Sequence, residues 1–341
     1  MSQVQLFEDA LALRESLLTR LEAEATDCYR LFHGATEGDP GLSVDRYGPY
    51  ILVQRWDERE RADLDSALAA TFGRRFDLPI LHRQRGADPA HGSPSRAERS
   101  QDLAAEVAAI GAEPVAMELG IRYDVRPWHR GRDPLLYLDL RAGRRFMLQE
   151  SEGLEVLNLF SYTCGIGLAA AKGGARLVWN VDFSEAILEI GAANAALNGL
   201  ENAPIRNICE DALPVMRQLA DLSIPLRRGK ERRFLKLKPR QFDLVVLDPP
   251  PWSTGPFGAV DSVRDYQGLF KPAILATKPG GRILAANHAK GVERDEWMES
   301  LARCAIKAGR QLQHLESLDP EADFPSPDGR PLSKFAIATV L

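Results

Sequence analysis

The chain has 341 residues, of which 45% are apolar and 27% charged, with a formal net charge of −5. This suits one large or two ordinary globular domains and excludes a low-complexity or disordered chain. A sum of −5 does not advertise nucleic-acid binding, no apolar run reaches membrane-spanning length, and the four scattered cysteines contain no CxxC pair, so neither a metal site nor a disulfide framework is signalled.

The N-terminal stretch lacks a basic head and a small-residue cleavage site, which points to a cytoplasmic protein. It reads as an amphipathic helix with Phe7, Leu11, Leu18 and Leu21 near one face. Residues 28–83 read as a small α+β unit. CYRLFHG is a strand, ATEGDPGL a turn, SVDRYGPYILVQRW a hairpin, DERERADLDSALAATFG a helix and PILHRQ a strand. GADPAHGSPSRAERSQD, residues 86–102, has the Gly, Pro, Ser and charge content of a linker. VAMELGIRYDVRP is a further strand pair around Gly120.

From about residue 130 the rhythm becomes βα. EVLNLF, RLVWNVD, IRNIC, FDLVVL and RILAAN are short apolar strands, most of them separated by helical patterns. That alternation predicts a mostly parallel sheet covered on both faces, with ligands bound outside the carboxyl ends of the strands. A helix near 293–309 and two last strands, RQLQHLESL and KFAIATVL, close the chain. The expected division is an N-terminal helix plus accessory domain over 1–112, and a catalytic domain over 113–341.

VLNLFSYTCGIGLAAA is strand, glycine turn and helix. Gly165 and Gly167 would let backbone approach a ligand at a helix N-terminus. Asp182 ends the next strand, where a carboxylate can accept both ribose hydroxyls. The pattern Gly165-x-Gly167-x-x-Ala170 also satisfies the dinucleotide fingerprint, so an NAD site competes at this point. Two features tilt the reading towards S-adenosylmethionine (SAM). Asp211 and Ala212, in CEDA after the third strand, sit where an adenine amino group is held, and the fourth strand ends in Asp248-Pro249-Pro250, for which a dehydrogenase has no use. Singly, Asp182 or Asp211 would also serve as a helix N-cap. Proline cannot continue a strand interior, so FDLVVL stops at Asp248. The Asp248 carboxylate and the Pro249 and Pro250 carbonyls are acceptors for a target N–H, and Asp248 is expected to border the cofactor as well. Trp252 can stack a base pulled from its helix.

These motifs, taken with CYRLFHGATEGDPGLSVDRYGPYILVQ and YLDLRAGRR, resemble the class I SAM-dependent 23S rRNA methyltransferases of the RlmI and RlmK type, over about residues 28–341. The resemblance implies an α/β Rossmann-like class I methyltransferase with a seven-stranded, mostly parallel sheet and a small α+β accessory domain. It implies SAM as cofactor and rRNA as substrate. Phe160, Tyr162, Thr163 and Gly165 match the SAM loop, Asp182 and Phe183 the ribose and adenine contacts, and Asp139 and Arg141 the cofactor's amino-acid end. The RlmI-type N-terminal PUA domain is lacking. RNA recruitment then falls to residues 225–240, PLRRGKERRFLKLKPR, whose eight basic residues and one Glu give a local +7. The oligomeric state is left open, a homodimer included.

RlmI-type members methylate cytosine C5 with a cysteine in the loop after the fifth strand. Here that loop is NHAKG, residues 287–291, without one. It is closer to the RlmK-type segment, which implies transfer to a guanine ring nitrogen. Asn287 would meet a base edge, Lys290 a phosphate, and His288 a proton or a turn. ADFPSPDG, 322–329, either borders the target pocket or turns between two strands. A small-molecule or protein methyltransferase, and a SAM-binding RNA assembly factor without turnover, are the competing readings.

Overall fold

The computed structural model describes residues 2–85, 108, 110, 111, 113–127, 134–224, 233–255 and 257–341. The expected linker 86–102 and the first half of the basic segment, 225–232, lie outside the described residues. The chain forms two compact units, Met1–Leu138 with Glu321–Pro327, and Asp139–Pro320 with Asp328–Leu341.

In the first unit, helix α1 (Gln3–Ala23) buries Phe7, Ala10, Leu17, Leu18 and Leu21 against a four-stranded sheet. Its strands β1 (Cys28–His33), β2 (Leu42–Tyr47), β3 (Tyr50–Arg55) and β4 (Ile80–Gln84) lie in that order. The helix expected over 57–73 begins later. It runs as α2 (Leu64–Leu68), a π turn (Ala69–Gly73) and α3 (Arg74–Phe76). The charged start goes instead into an ion-pair cluster. There the buried Arg61 guanidinium donates to Asp39 at 2.7 Å and Asp57 at 2.9 Å.

The unit boundary falls at Leu138 rather than residue 112, for two reasons visible in hydrogen bonds. The hairpin of β5 (Val115–Glu118) and β6 (Ile121–Asp124) is laced to the α1–β1 turn. Asp27 N–H donates to Met117 O, and Met117 N–H returns to Asp27 Oδ1. The excursion Glu321–Pro327 also belongs here. Asp323 accepts from Arg30 N–H at 2.9 Å, and the Arg30 guanidinium lies 4.6 Å over the Phe324 ring. ADFP is therefore a clasp of the accessory unit.

The second unit carries helices α4 (Arg141–Glu150), α5 (Gly165–Lys172), α6 (Glu185–Leu197), α7 (Ala212–Leu219), α8 (Tyr266–Leu275) and α9 (Arg294–Lys307). Its strands are β7 (Glu155–Leu159), β8 (Leu177–Asp182), β9 (Ile205–Cys209), β10 (Phe242–Leu247), the hairpin β11 (Trp252–Gly255) and β12 (Gly258–Asp261), β13 (Thr277–Asn287), β14 (Leu312–Leu318) and β15 (Lys334–Val340). The main sheet has seven strands in the order β14-β15-β13-β10-β7-β8-β9. β15 runs antiparallel to both of its neighbours and the other pairs are parallel. Strand order reverses between β7 and β10, the place where such sheets open a crevice for ligands. Val245, Leu247, Leu157 and Leu159 are buried there, as expected of strands covered on both faces.

Candidate active site

The loop from β7 to α5 is strained. Phe160, Tyr162 and Cys164 have φ values of +59°, +47° and +62°. Left-handed backbone at a residue with a side chain costs roughly 1–3 kcal/mol and persists only where surroundings enforce it. The enforcing contact is Asp182, at the end of β8. Its Oδ2 accepts Tyr162 N–H at 3.0 Å and its Oδ1 accepts Ser184 N–H at 3.0 Å. Each oxygen keeps lone-pair capacity after that. Burial pushes the Asp182 carboxyl above the ordinary aspartate range, against the pull of these backbone donors. Phe183, next in sequence, is 70% exposed at the same edge. A ribose and an adenine fit this pair, since the carboxylate takes hydroxyls and the ring offers a face.

Gly167 has a different role from the expected one. A Cβ there would lie 1.9 Å from Asn180 Oδ1. Asn180 is the middle rung of a buried ladder across adjacent strands. Asn158 Nδ2 donates to Asn180 Oδ1 at 2.9 Å, and Asn180 Nδ2 to Asn207 Oδ1 at 3.0 Å. The glycine thus admits an amide ladder beneath the loop. Gly167→Ala is expected to destabilise the fold by about 1–3 kcal/mol, the usual cost of overpacking a core. A urea titration checks it by a lower midpoint at unchanged slope.

Asp211 caps α7, accepting Leu213 N–H on Oδ1 at 2.9 Å, and Ala212 behind it is buried. Its Oδ2 faces the β11 backbone, where a Cβ on Gly255 would come within 2.5 Å. One oxygen is thus engaged by the helix N-terminus. Thr163 is buried in the loop, Gly165 opens α5, and Arg141 is fully buried at the start of α4.

Across the reversal, Asp248 follows β10 and His288 follows β13. Tyr266 of α8 ties these strand ends together, donating to Ala286 O at 2.8 Å with Leu247 O at 3.4 Å. His288 Nε2 bonds Asp248 Oδ1 at 2.7 Å, and its Nδ1 meets Ser333 Oγ at 3.0 Å. Ser333 Oγ donates in turn to Asp139. Asp139, expected at the cofactor's amino-acid end, therefore stands behind Asp248 in this chain of contacts. Among the described residues no donor takes Asp248 Oδ2, the Pro249 carbonyl or the Pro250 carbonyl. Trp252 begins the β11–β12 hairpin and is 65% exposed.

Asn287 departs from expectation. Its side chain is fully buried, with Nδ2 donating to Ser262 O at 3.2 Å and Oδ1 accepting Ala289 N–H at 2.9 Å. It holds the loop and has no reach to a base edge. Lys290 is exposed on a cavity of about 510 Å³ lined by residues 289–295 and 328–332 and by Lys334. In the described half of the basic segment, Arg233, Lys236 and Lys238 are exposed, and Lys236 sits 3.9 Å over the Phe234 ring. Arg240 is instead bound to Glu155 at 2.9 Å at the opposite end of the sheet. Among the described residues no group of three or more His, Cys, Asp or Glu could hold a metal ion, and no helix is long and apolar enough to cross a membrane.

The His288 bridge was missed as a unit, because its members lie 40 and 45 residues from the histidine in sequence. A Ser just before a C-terminal strand carries no local signal of it.

Comparison with known proteins agrees with this geometry. The chain is 30% identical over 304 residues to the ribosomal RNA large subunit methyltransferase I of Aeromonas hydrophila, covering 87% of this chain and 70% of that protein. It is 30% identical over 346 residues to the enzyme of the same name from Citrobacter koseri, covering 98% and 78%. In fold it is similar to SMU.776, a structure complexed with SAH, at a TM-score of 0.75 and 20% identity, over 99% of this chain and 81% of the other. It is also similar to a SAM-dependent methyltransferase from Agrobacterium tumefaciens, at 0.57 and 19%, over 87% and 86%. The family model described as S-adenosylmethionine-dependent methyltransferase matches residues 101–335. With a strained loop, a ribose-type carboxylate and an acceptor cluster at the reversal of one sheet, the chain belongs to the SAM-dependent methyltransferases and is an enzyme that uses S-adenosylmethionine as its cofactor.

Proposed function

We propose that the chain methylates RNA, most specifically large-subunit rRNA, and delivers the methyl group to a base nitrogen, guanine favoured, rather than to cytosine C5. The rRNA part rests on the likeness to the ribosomal RNA large subunit methyltransferases I of Aeromonas hydrophila and Citrobacter koseri. The choice of atom rests on one observation, a target-side cluster made of acceptors with no thiol beside it. Bound at the β7–β8 end, SAM supplies an electrophilic methyl group. Asp248 Oδ2 and the Pro249 and Pro250 carbonyls hold base N–H groups, and the prolines fix the carbonyl directions. Trp252 stacks the displaced base.

Carbon 5 of cytosine needs a thiolate added at the neighbouring ring position. Cys209 ends β9, three strands from β10, which is roughly 14 Å at the usual strand spacing. Cys164 is buried under the cofactor loop, and burial pushes its thiol up to about 12. Cys304 is buried on α9 against Gln267 O, and Cys28 is buried in the accessory unit. For recruitment, Arg233, Lys236 and Lys238 meet phosphates, with Phe234 as an adjoining ring. The accessory unit serves as a further RNA contact.

The test is direct. Purified protein and labelled SAM are mixed with rRNA from a strain lacking the gene, naked and within subunits, and the digested nucleosides are identified by mass spectrometry. A labelled N-methyl base, methylguanosine first, is expected. Labelled 5-methylcytidine would overturn the choice of atom. No label in any RNA, with SAM binding intact, would overturn the RNA reading.

A further inference from the structure

We propose that His288 is a positioning residue which, as an imidazolium, clamps Oδ1 of Asp248 and thereby keeps Oδ2 as the acceptor that meets the target. The inference rests on the reading of Asp248 as target-side.

Ser333 has one hydroxyl hydrogen, and it goes to the Asp139 carboxylate. Ser333 Oγ can then offer only a lone pair to His288 Nδ1, 3.0 Å away, so Nδ1 must carry a hydrogen. On the other side Nε2 lies 2.7 Å from the Asp248 carboxylate, which has no hydrogen to give, so Nε2 must carry one too. A ring that donates from both nitrogens is an imidazolium. It stands between two carboxylates, Asp248 in direct contact and Asp139 at 3.8 Å from Nδ1.

The other groups around the ring are few. Lys334, which opens β15, is buried and donates to Ala289 O at 3.1 Å and Leu332 O at 2.9 Å. Its charge opposes that of the ring. The Phe335 ring lies 6.0 Å away and is neutral. Tyr266 faces Asp248, and burial holds its phenol far above the working range, so it does not titrate against the pair. Burial of the ring disfavours its charge, but Asp248 and then Asp139 outweigh burial and Lys334 together, and the pKa of His288 is raised above the ordinary histidine value.

The clamp is complete below the raised pKa. As pH rises through it, one ring nitrogen loses its hydrogen and faces an oxygen lone pair. Asp248 is then free to rotate. Turnover therefore falls on the alkaline side, above the ordinary histidine range, while SAM binding at β7–β8 does not follow.

Two measurements test this. The first is a pH titration of the histidine ring 13C signals in the full chain, where His288 is identified among six histidines by its absence in His288→Gln. A midpoint above the ordinary value that drops in Asp139→Asn is expected. A midpoint at or below the ordinary value would overturn the imidazolium. The second is the pH dependence of kcat. His288→Gln still donates to Asp248 but does not titrate, so kcat is expected to fall about tenfold with the KM for SAM unchanged and the alkaline limb gone. An alkaline limb that survives in His288→Gln would overturn the positioning role. The ring titration does not depend on what Asp248 binds. Loss of SAM binding in Asp248→Asn, set beside a raised His288 midpoint in the unmodified protein, would therefore sink the target-side reading and with it the positioning role, while leaving the imidazolium standing.

Discussion

Asp248→Asn is expected to slow methyl transfer by about 10²–10³-fold, roughly 3–4 kcal/mol in the barrier, with SAM affinity held within a few-fold. The substitution is isosteric, so the strand end keeps its shape. His288 Nε2 stays bonded because the new amide can turn its oxygen towards the ring. What changes is the other position. An NH₂ group then stands where Oδ2 stood and meets a base N–H donor to donor. That repels the target instead of holding it, and unpaired buried donors are costly. Single-turnover transfer measures the first quantity and calorimetric SAM titration the second. Equal loss of both would show that Asp248 is a cofactor residue, and the target-side reading would fall with it.

How far these roles could be read from the chain depends on the range of the interactions that create them. The strands β7, β8 and β10 were legible because each is a short apolar run bounded by turn residues, and burial on both faces leaves that mark in sequence. The acidic strand ends Asp182, Asp211 and Asp248 were legible for the same reason. A charge that closes an apolar run has few reasons to be there. The hairpin β11–β12 was not legible, since WSTG and GAVD are short, only WSTG is mostly exposed, and neither shows an alternation of apolar and polar residues. Helix α4 was hidden by composition, because RAGRRFMLQE buries Arg141 and Arg144 where a pattern search looks for apolar residues.

The errors share a cause. Gly167 lies in a glycine motif that also serves ligand-binding loops, so its sequence context suggested backbone approach to a cofactor. What it accommodates is Asn180, a residue of the next strand. Asn287 lies in a loop that reads as exposed, yet pairing of β13 with β15 sets it opposite Lys334 and buries it. The unit boundary lies at Leu138 because the β5–β6 hairpin bonds back to Asp27, and Glu321–Pro327, near the C-terminus, joins the same unit. In each case the deciding partner is distant in sequence, and local pattern carries no information about it.

Asp182 tests the opposite half of the site, and the expected outcome separates binding from stability. Asp182→Asn should weaken SAM affinity by about 10²–10⁴-fold, since two hydrogen bonds to a charged acceptor, at about 1.5–3 kcal/mol each, are replaced by a mismatched amide. The fold without cofactor should not suffer in proportion. Burial raises the Asp182 carboxyl above its ordinary range, so the ionised group costs the native state some stability. That contribution is favourable below the unfolded pKa and is lost as pH rises through the raised value, so at neutral pH the charge is a burden. Asparagine removes the burden, although its amide cannot accept both Tyr162 and Ser184 N–H groups. Thermal unfolding should show a melting temperature close to that of the unmodified protein, with the SAM-dependent rise gone. The same carboxyl sets a pH dependence for the unmodified protein. SAM hydroxyls bind the ionised form, so affinity should rise with pH through the raised Asp182 range and fall in acid, with proton release on binding inside that window. Calorimetry in buffers of different ionisation enthalpy reads the released proton. A SAM affinity that is flat across the acid range would show that Asp182 is only a support for the strained loop and that the ribose lies elsewhere.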